Sequence, residues 1–450
     1  VQWDELFSHV VAYDPAEPAA LSLPTGGGVY LLTDEQDRLV QLASAADLRR
    51  AVMNRLGISP NKETTAEKEG TEAGTPAPTT GPEREDAQAR QEETAEPAAR
   101  PGRLEGREPE SRSTRRADLS QIVRHVRWQP THSVFEATYE YHRIARVVLP
   151  DTYLKNIAFG PAWFVQVDAG AEVPRFAVGK SITPASGVTL GPFATQQDAN
   201  RFVQILEDAF DLCRHLPILE QAPHGQPCAY FEMGRCPAPC NASIPMSQYR
   251  ETVARAVRFA TGERDDTRAE WQRRMREAAG GLEFERAAAI KQRIDRAKEI
   301  EHPAFRFVRP IQAFSWLIVQ RDAGTTRVKP FFVLAGAIEP GEPVRLKDLD
   351  AAVARWHERM RKPAPPAAQD STQARPAPTI QNGPAGGAGS GLLSEHIWLV
   401  SHFLFRRERT GLFLDAAALP EPGALAETIR ACFAPAPAGK KDTEGPASMG

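Results

Sequence analysis

Four of the chain's five cysteines lie between Cys213 and Cys240, spaced C-x14-C-x7-C-x3-C. Four thiols held together dictate where the backbone between them must return. Soft thiolates gathered this closely can close a tetrahedral all-thiolate shell on zinc or on an iron–sulfur cluster. Pro217, Pro223, Pro227, Pro237 and Pro239 favour irregular backbone here, and Gly225 and Gly234 permit it. The spacing therefore predicts a wrapped loop, not a helix, as the carrier of the ligands. Buried cysteines are often inert, but four so close, with only Cys432 elsewhere, are not ordinary scatter. A disulfide framework ranks below a metal or cluster, because Val1 to Gly28 carries no basic-then-apolar signal segment and an oxidising compartment is not indicated. The residues alone leave zinc and iron–sulfur open; the lack of a C-x2-C knuckle weakens zinc a little.

At 450 residues the chain is long enough for two or three domains. No apolar run of about 18 residues occurs, so no membrane span is expected. The net charge of −3 excludes a global basic signature of nucleic-acid binding, and any such binding has to be local. From Ser59 to Arg103 there is no Leu, Ile, Val, Met or aromatic residue. Such a stretch cannot bury enough apolar surface to offset the entropy of ordering, so 58–118 reads as a disordered insertion. Residues 363–391, rich in Pro, Ala, Gly, Gln and Ser, read as a linker, and 434–450 as a disordered tail.

Between these stretches the patterns alternate in kind. Gly28 to Leu32 and Arg38 to Leu42 read as strands joined by a turn at Thr33 to Asp37, and Ala45 to Leu56 as a helix. His132 to Arg146 reads as a helix. Trp163 to Val167 and Arg175 to Gly179 read as strands, and Gly191-Pro192-Phe193 as a turn. Gln196 to Arg214 is an amphipathic helix running into Cys213. Ser247 to Thr261 is another helix, and Asp266 to Glu301 a helical pair broken at Gly280-Gly281. Phe314 to Val319 and Phe331 to Leu334 have strand character, and Trp398, Val400, His402 and Leu404 alternate in the segment 392–433.

Cys228-Ala-Tyr-Phe-Glu-Met-Gly-Arg-Cys236-Pro-Ala-Pro-Cys240, followed by Tyr249, resembles the cysteine region of the UvrC family, the excinucleases of bacterial nucleotide excision repair. The resemblance implies a [4Fe–4S] cluster with Cys213, Cys228, Cys236 and Cys240 as ligands, and it tips the choice from zinc, which stays as the alternative. Cys213 is the looser match to the pattern. Met275-Arg-Glu-Ala278-Ala279-Gly-Gly-Leu282-Glu-Phe284-Glu285-Arg-Ala287-Ala288 resembles the UVR motif, which in the family docks onto the helicase UvrB. Leu282, Phe284, Glu285, Ala287 and Ala288 are then the partner-binding residues, with Ile290 adding apolar surface and neighbouring charges adding specificity. An ordinary two-helix coiled coil is the competing reading.

Gly28-Val29-Tyr30 resembles the first signature of GIY-YIG nucleases, and Gln41 to Ala45 stands where the second belongs. The family's arginine position falls on Ala51, with Arg49 and Arg50 out of register. The position of its metal-binding glutamate falls on Tyr141, one residue past Glu140. Such chemistry needs an activated tyrosine, a positive side chain for the developing charge and a carboxylate for a divalent metal. Only Tyr30 is clearly kept. Tyr30, Arg49 and Glu140 therefore read as vestigial, and no catalytic divalent metal is expected.

The fold class expected is α+β. Residues 1–57 and 119–160 form a degenerate GIY-YIG-like domain, 161–246 the cysteine-rich domain, 247–301 a helical region with the UVR motif, 302–362 a strand-rich region and 392–433 a C-terminal folded segment. The function expected is a cytoplasmic UvrC-like repair protein without nuclease activity that binds a UvrB-like partner. Whether it also contacts damaged double-stranded DNA, for example through Arg250, Arg255 and Arg258, stays open. Two alternatives remain: a divergent but active GIY-YIG endonuclease, and an iron–sulfur redox-sensing scaffold.

Overall fold

The computed structural model describes residues 3–58, 118–183, 187–324, 326–362 and 388–434. Of the insertion expected over 58–118, the linker over 363–391 and the tail over 434–450, residues 59–117, 363–387 and 435–450 lie outside the described residues.

The first sheet contains β1 (His9–Ala12), β2 (Gly28–Thr33), β3 (Leu39–Ala45) and β4 (His125–Pro130), in the order β1-β4-β2-β3. β2 is central and buried at every position, because both faces of the sheet are covered. Side chains alternate across a strand. Tyr30 and Leu32 accordingly pack on Leu48 and Val52 of α1 (Leu48–Arg55), whereas Val29 and Leu31 pack on Ile144 of α2 (Val134–Val148). Ser133 caps α2 by accepting from the Glu136 amide at 3.1 Å, and Glu136 accepts from the His132 amide at 2.8 Å. Two orphan donors of the helix start are satisfied in this way. A short α3 (Tyr153–Asn156) follows.

The second sheet orders β5 (Trp163–Val167), β6 (Phe176–Gly179), β7 (Val188–Phe193) and β8 (Arg309–Pro310) as β6-β5-β7-β8. α4 (Gln196–Phe210) lays Phe202, Ile205, Leu206 and Ala209 against it. Beyond α4 come the one-turn helices α5 (Leu216–Leu219) and α6 (Ala229–Glu232), then α7 (Met246–Thr261), α8 (Asp265–Gly280) and α9 (Phe284–Lys298). Tyr249, Phe259, Trp271, Ile294 and Ala297 share one core with Val165, Leu190 and Phe193, so the base of the α8–α9 hairpin is part of the domain that carries the cysteines.

The third sheet holds β9 (Trp316–Arg321), β10 (Arg327–Leu334), β11 (Ala337–Pro340), β12 (Val344–Arg345) and β13 (Leu412–Asp415). Its path is β11-β10-β9-β13, with β12 also on β10. Leu317 and Val319 face α10 (Leu349–Arg361) and α12 (Pro422–Phe433). Trp316 and Ile318 face α11 (Ala388–Leu404) and Phe135 of α2. Lys329 of β10 donates to the buried Glu136 of α2 at 2.6 Å, tying this sheet to the first domain. All strand pairings among the described residues are antiparallel, as an α+β chain requires.

Three local expectations change. Gly191-Pro192-Phe193 is not a turn but the end of β7, where a Cβ on Gly191 would stand 2.7 Å from the Phe164 ring. α4 stops at Phe210 rather than Arg214, because Asp211 takes the left-handed conformation (φ 53°). The alternating Trp398 to Leu404 segment, to which the pattern assigned no element, is helical. Ile397, Leu399 and Phe403 between the alternating positions are buried as well, so α11 is buried almost all round and its alternation carried no strand signal. Ala388–Gly391, assigned to the linker by composition, open that helix.

Candidate functional site

The cysteine loop begins where α4 ends. Cys213 lies three residues past the helix, and its amide donates to the hydroxyl of the buried Tyr249 on α7 at 3.1 Å. From there the chain wraps through α5 and α6 and returns through Cys236-Pro-Ala-Pro-Cys240. Ala238 (φ 52°) and Ala242 (φ 61°) bracket a single 3-10 turn at Pro239–Asn241. The Gly225 amide donates to the Cys240 carbonyl at 2.8 Å, and a side chain at Gly225 would meet the Ile218 carbonyl at 2.9 Å. The loop thus closes on its own backbone, as its prolines and glycines predicted.

All four cysteines are free thiols; Cys236 and Cys240 are buried, Cys213 and Cys228 half-buried. The Cys213 and Cys236 thiols interact directly. That interaction pushes the Cys213 thiol up and draws Cys236 down to about 6. Burial, with the charge of Cys236 and Cys228 nearby, raises Cys240. Burial likewise raises the Tyr249 phenol. Among the described residues no group of three or more His, Cys, Asp or Glu side chains stands close enough together to hold a metal ion. The donor chemistry, four thiols on one wrapped loop, fits a soft metal or an iron–sulfur cluster; the thiol positions do not themselves close a shell around one.

The α8–α9 hairpin turns at Gly281 to Glu283, with the Glu283 amide on the Ala278 carbonyl at 2.8 Å. Leu282 is held in the left-handed region (φ 61°), unusual for a bulky residue. Its side chain is 73% exposed and that of Phe284 66%. Glu285 and Ala288 are exposed beside them and Ala287 is half-buried. Met275 and Ile290 lean inward onto the shared core. The tip therefore presents apolar surface that nothing in the described chain covers, rimmed by the Glu283–Arg286 ion pair (2.8 Å).

The residues named for nuclease chemistry are not brought together. Tyr30 is 3% exposed in the core under α1. Arg49 turns its guanidinium to the Leu23 carbonyl at 2.9 Å. Glu140 pairs with Arg143 on α2 at 2.8 Å, and α2 covers the opposite face of the sheet from Tyr30. A groove of about 820 Å³ lies between the end of β3, the first turns of α2 and the β9–β10 connection; Ser44, His132, Tyr141 and Asp322 line it, but Tyr30, Arg49 and Glu140 do not. Two of the arginines considered for DNA are engaged within the chain. Arg250 donates to the carbonyls of Ala171 and Glu172, and Arg255 pairs with Glu270, while Arg258 is exposed.

Sequence reasoning passed over Arg214 and Arg235, which flank two of the cysteines and join their backbones. The available signal was the placement of a base immediately after Cys213 and immediately before Cys236. It also passed over a buried contact between α2 and α11, in which Glu395 meets His142 Nε2 and the Tyr153 hydroxyl, each at 2.7 Å.

A four-cysteine loop set between an antiparallel sheet and a helical hairpin defines the class of domain. In comparison with known proteins, residues 162–259, which contain all four cysteines, match the UvrC/Cho excinuclease middle domain. The chain is similar to UvrABC system protein C of Trichlorobacter lovleyi, 33% identical over 124 residues that cover 28% of this chain and 20% of that protein. The same protein of Clostridium botulinum is 25% identical over 187 residues, 41% of this chain and 30% of that one. That of Cereibacter sphaeroides is 30% identical over 149 residues, 33% and 24% of the two. The matches thus span under a third of those relatives' length. No solved structure matches the chain. Among the described residues no helix is long and apolar enough to cross a membrane.

Proposed function

We propose that the chain is a UvrC-like nucleotide-excision-repair protein that acts by docking rather than by cutting. It binds a UvrB-like helicase through the hairpin tip, with Leu282 and Phe284 as anchors and Glu285, Ala287 and Ala288 beside them. Cys213, Cys228, Cys236 and Cys240 hold a [4Fe–4S] cluster, or zinc in its place, which serves to order the loop. The single observation that carries the docking is the exposure of two large apolar side chains at the tip of a hairpin whose base is packed into the matched domain. Exposed anchors on a rigid support are what helix-in-groove recognition uses.

The absence of cutting is supported by the separation of Tyr30, Arg49 and Glu140 in the first domain. Losing one charge-stabilising donor already raises a barrier by about 2.7–4 kcal/mol, and here no pair of the three meets. Purified protein is incubated with a UvrB-like helicase, damaged duplex and magnesium or manganese. The expected result is a complex that forms with the duplex left intact. Metal-dependent nicking abolished by Tyr30→Phe supports the divergent-nuclease reading instead. Failure to form any complex, with the tip intact, removes the docking reading.

A further inference from the structure

One side chain holds together the backbone segments that carry Cys213 and Cys236. Arg214, next after Cys213, donates from Nη1 to the carbonyl of Arg235, next before Cys236, at 3.2 Å. Its guanidinium lies over the Tyr230 ring, 4.6 Å from the centroid. Its other arm, Nη2, donates to Asp208 Oδ1 at 2.6 Å. The second oxygen of Asp208 accepts from Arg296 Nε at 2.8 Å, and Arg296 belongs to α9, the helix that starts with Phe284. A parallel route runs beside this one. Asp211, two residues before Cys213, pairs with Arg293, one turn back along α9. Arg296 also holds Glu299 at 2.8 Å, and Glu299 takes Arg201 of α4 at 3.1 Å.

These pairs bridge a gap. A groove of about 600 Å³ separates the loop residues Met233, Gly234 and Arg235 from Ala289, Gln292 and Arg293 of α9. Across it the arginine–carboxylate relay joins the loop to α9, beside the apolar core in which Ile294 and Ala297 are buried. The side chains of Arg214 and Asp208 are only 14% and 22% exposed, so solvent screens their pair less than a surface pair. Burial alone would raise the Asp208 carboxyl, but the hydrogen bonds from Arg296 and Arg214 outweigh it and hold it below the usual range.

We propose that this relay couples the state of the cysteine loop to the docking hairpin. The proposal rests on the reading above, in which the loop binds a metal or cluster and the hairpin tip binds a partner. When the four cysteines close on their metal, the Cys213 and Cys236 segments are fixed. Arg214 is then pinned between the Arg235 carbonyl and Asp208, and α9 is clamped at Arg293 and Arg296. When the loop is empty, the Arg235 carbonyl moves independently, Arg214 loses one anchor, and that part of α9 loosens. Arg214 is thus a positioning residue for the hairpin. Coupling of this kind is reciprocal, so partner binding at the tip tightens metal retention in the loop by the same factor.

Hydrogen exchange of the full chain tests it, with metal content measured alongside, before and after metal removal by a chelator under reducing conditions. Wild type, Arg214→Gln and Asp208→Asn are compared with Arg268→Gln, whose pairing with Glu301 lies off the relay. In wild type and Arg268→Gln, metal removal should speed exchange across Arg293 to Lys298 by about tenfold or more. In Arg214→Gln and Asp208→Asn, with metal content unchanged, that segment should already exchange fast and show no further rise. Asp208→Asn is nearly isosteric and carries the test should Arg214→Gln not fold. If α9 stays equally protected in every state while the cysteine loop opens, the coupling is overturned and the metal reading stands. A protein that holds neither iron nor zinc and takes up neither overturns both.

Discussion

Truncating Phe284 separates docking from folding. Burying a phenylalanine completely is worth about 3 kcal/mol at most. Phe284 is 66% exposed, so folding has collected about a third of that and roughly 2 kcal/mol remains for a partner to gain. Two kcal/mol corresponds to about a 30-fold change in dissociation constant. Phe284→Ala should therefore weaken binding of a purified UvrB-like helicase by about 30-fold in titration calorimetry. The thermal midpoint of the free protein should stay within about 2 °C of wild type, since little buried contact is lost. Equal affinity for the variant refutes the docking argument. So does a loss of affinity accompanied by a large fall in the midpoint, which would make Phe284 a residue of the fold.

Tyr153→Phe removes one of two 2.7 Å contacts to the buried Glu395 carboxylate and should cost about 1.5–3 kcal/mol in urea denaturation, detectable as lost protection of α11. Burial by itself would raise Glu395, but the hydrogen bonds with His142 and Tyr153 and the charge of Arg146 hold it below the usual carboxylate range. Its folded pKa is depressed, so its contribution is present above the unfolded carboxylate value and is lost as pH falls through the lower folded value. Acid titration of wild type against Glu395→Gln should show the wild type's advantage vanishing on that limb; an advantage independent of pH contradicts the assignment. Tyr249→Phe leaves the Cys213 amide without its acceptor and should cost about 1–3 kcal/mol, with faster metal loss to a chelator at fixed concentration.

The parts legible in the sequence were those set by local chemistry. Prolines and glycines around the cysteines announced an irregular loop, and the break at Gly280-Gly281 announced a hairpin. Tyr30 showed its strand but not its environment: only the fold reveals that it faces α1 while Glu140 rides on α2 across the sheet. In the third sheet β9 and β10 were legible as strands, but the strand that completes it was not. β13 pairs with β9 across about a hundred residues of chain, and no periodicity encodes that partnership. α11 showed only an alternation, because a helix buried on nearly every side loses the 3.6-residue contrast that identifies one. The Arg214 relay joins residues that are remote in sequence, such as Asp208 and Arg296, through charges that composition reports only in bulk.

The cluster on four cysteines is the claim on which the coupling of the loop to the docking hairpin stands. Anaerobic purification followed by a visible spectrum and iron, sulfide and zinc analysis tests it most directly, with Cys236→Ser in parallel. The expected result is broad visible absorption with about four irons and four sulfides per chain, lost in the variant. Colourless protein containing zinc alone would make the site structural. Protein with no iron, sulfide or zinc would contradict the claim and leave Cys213 to Cys240 a packed thiol loop.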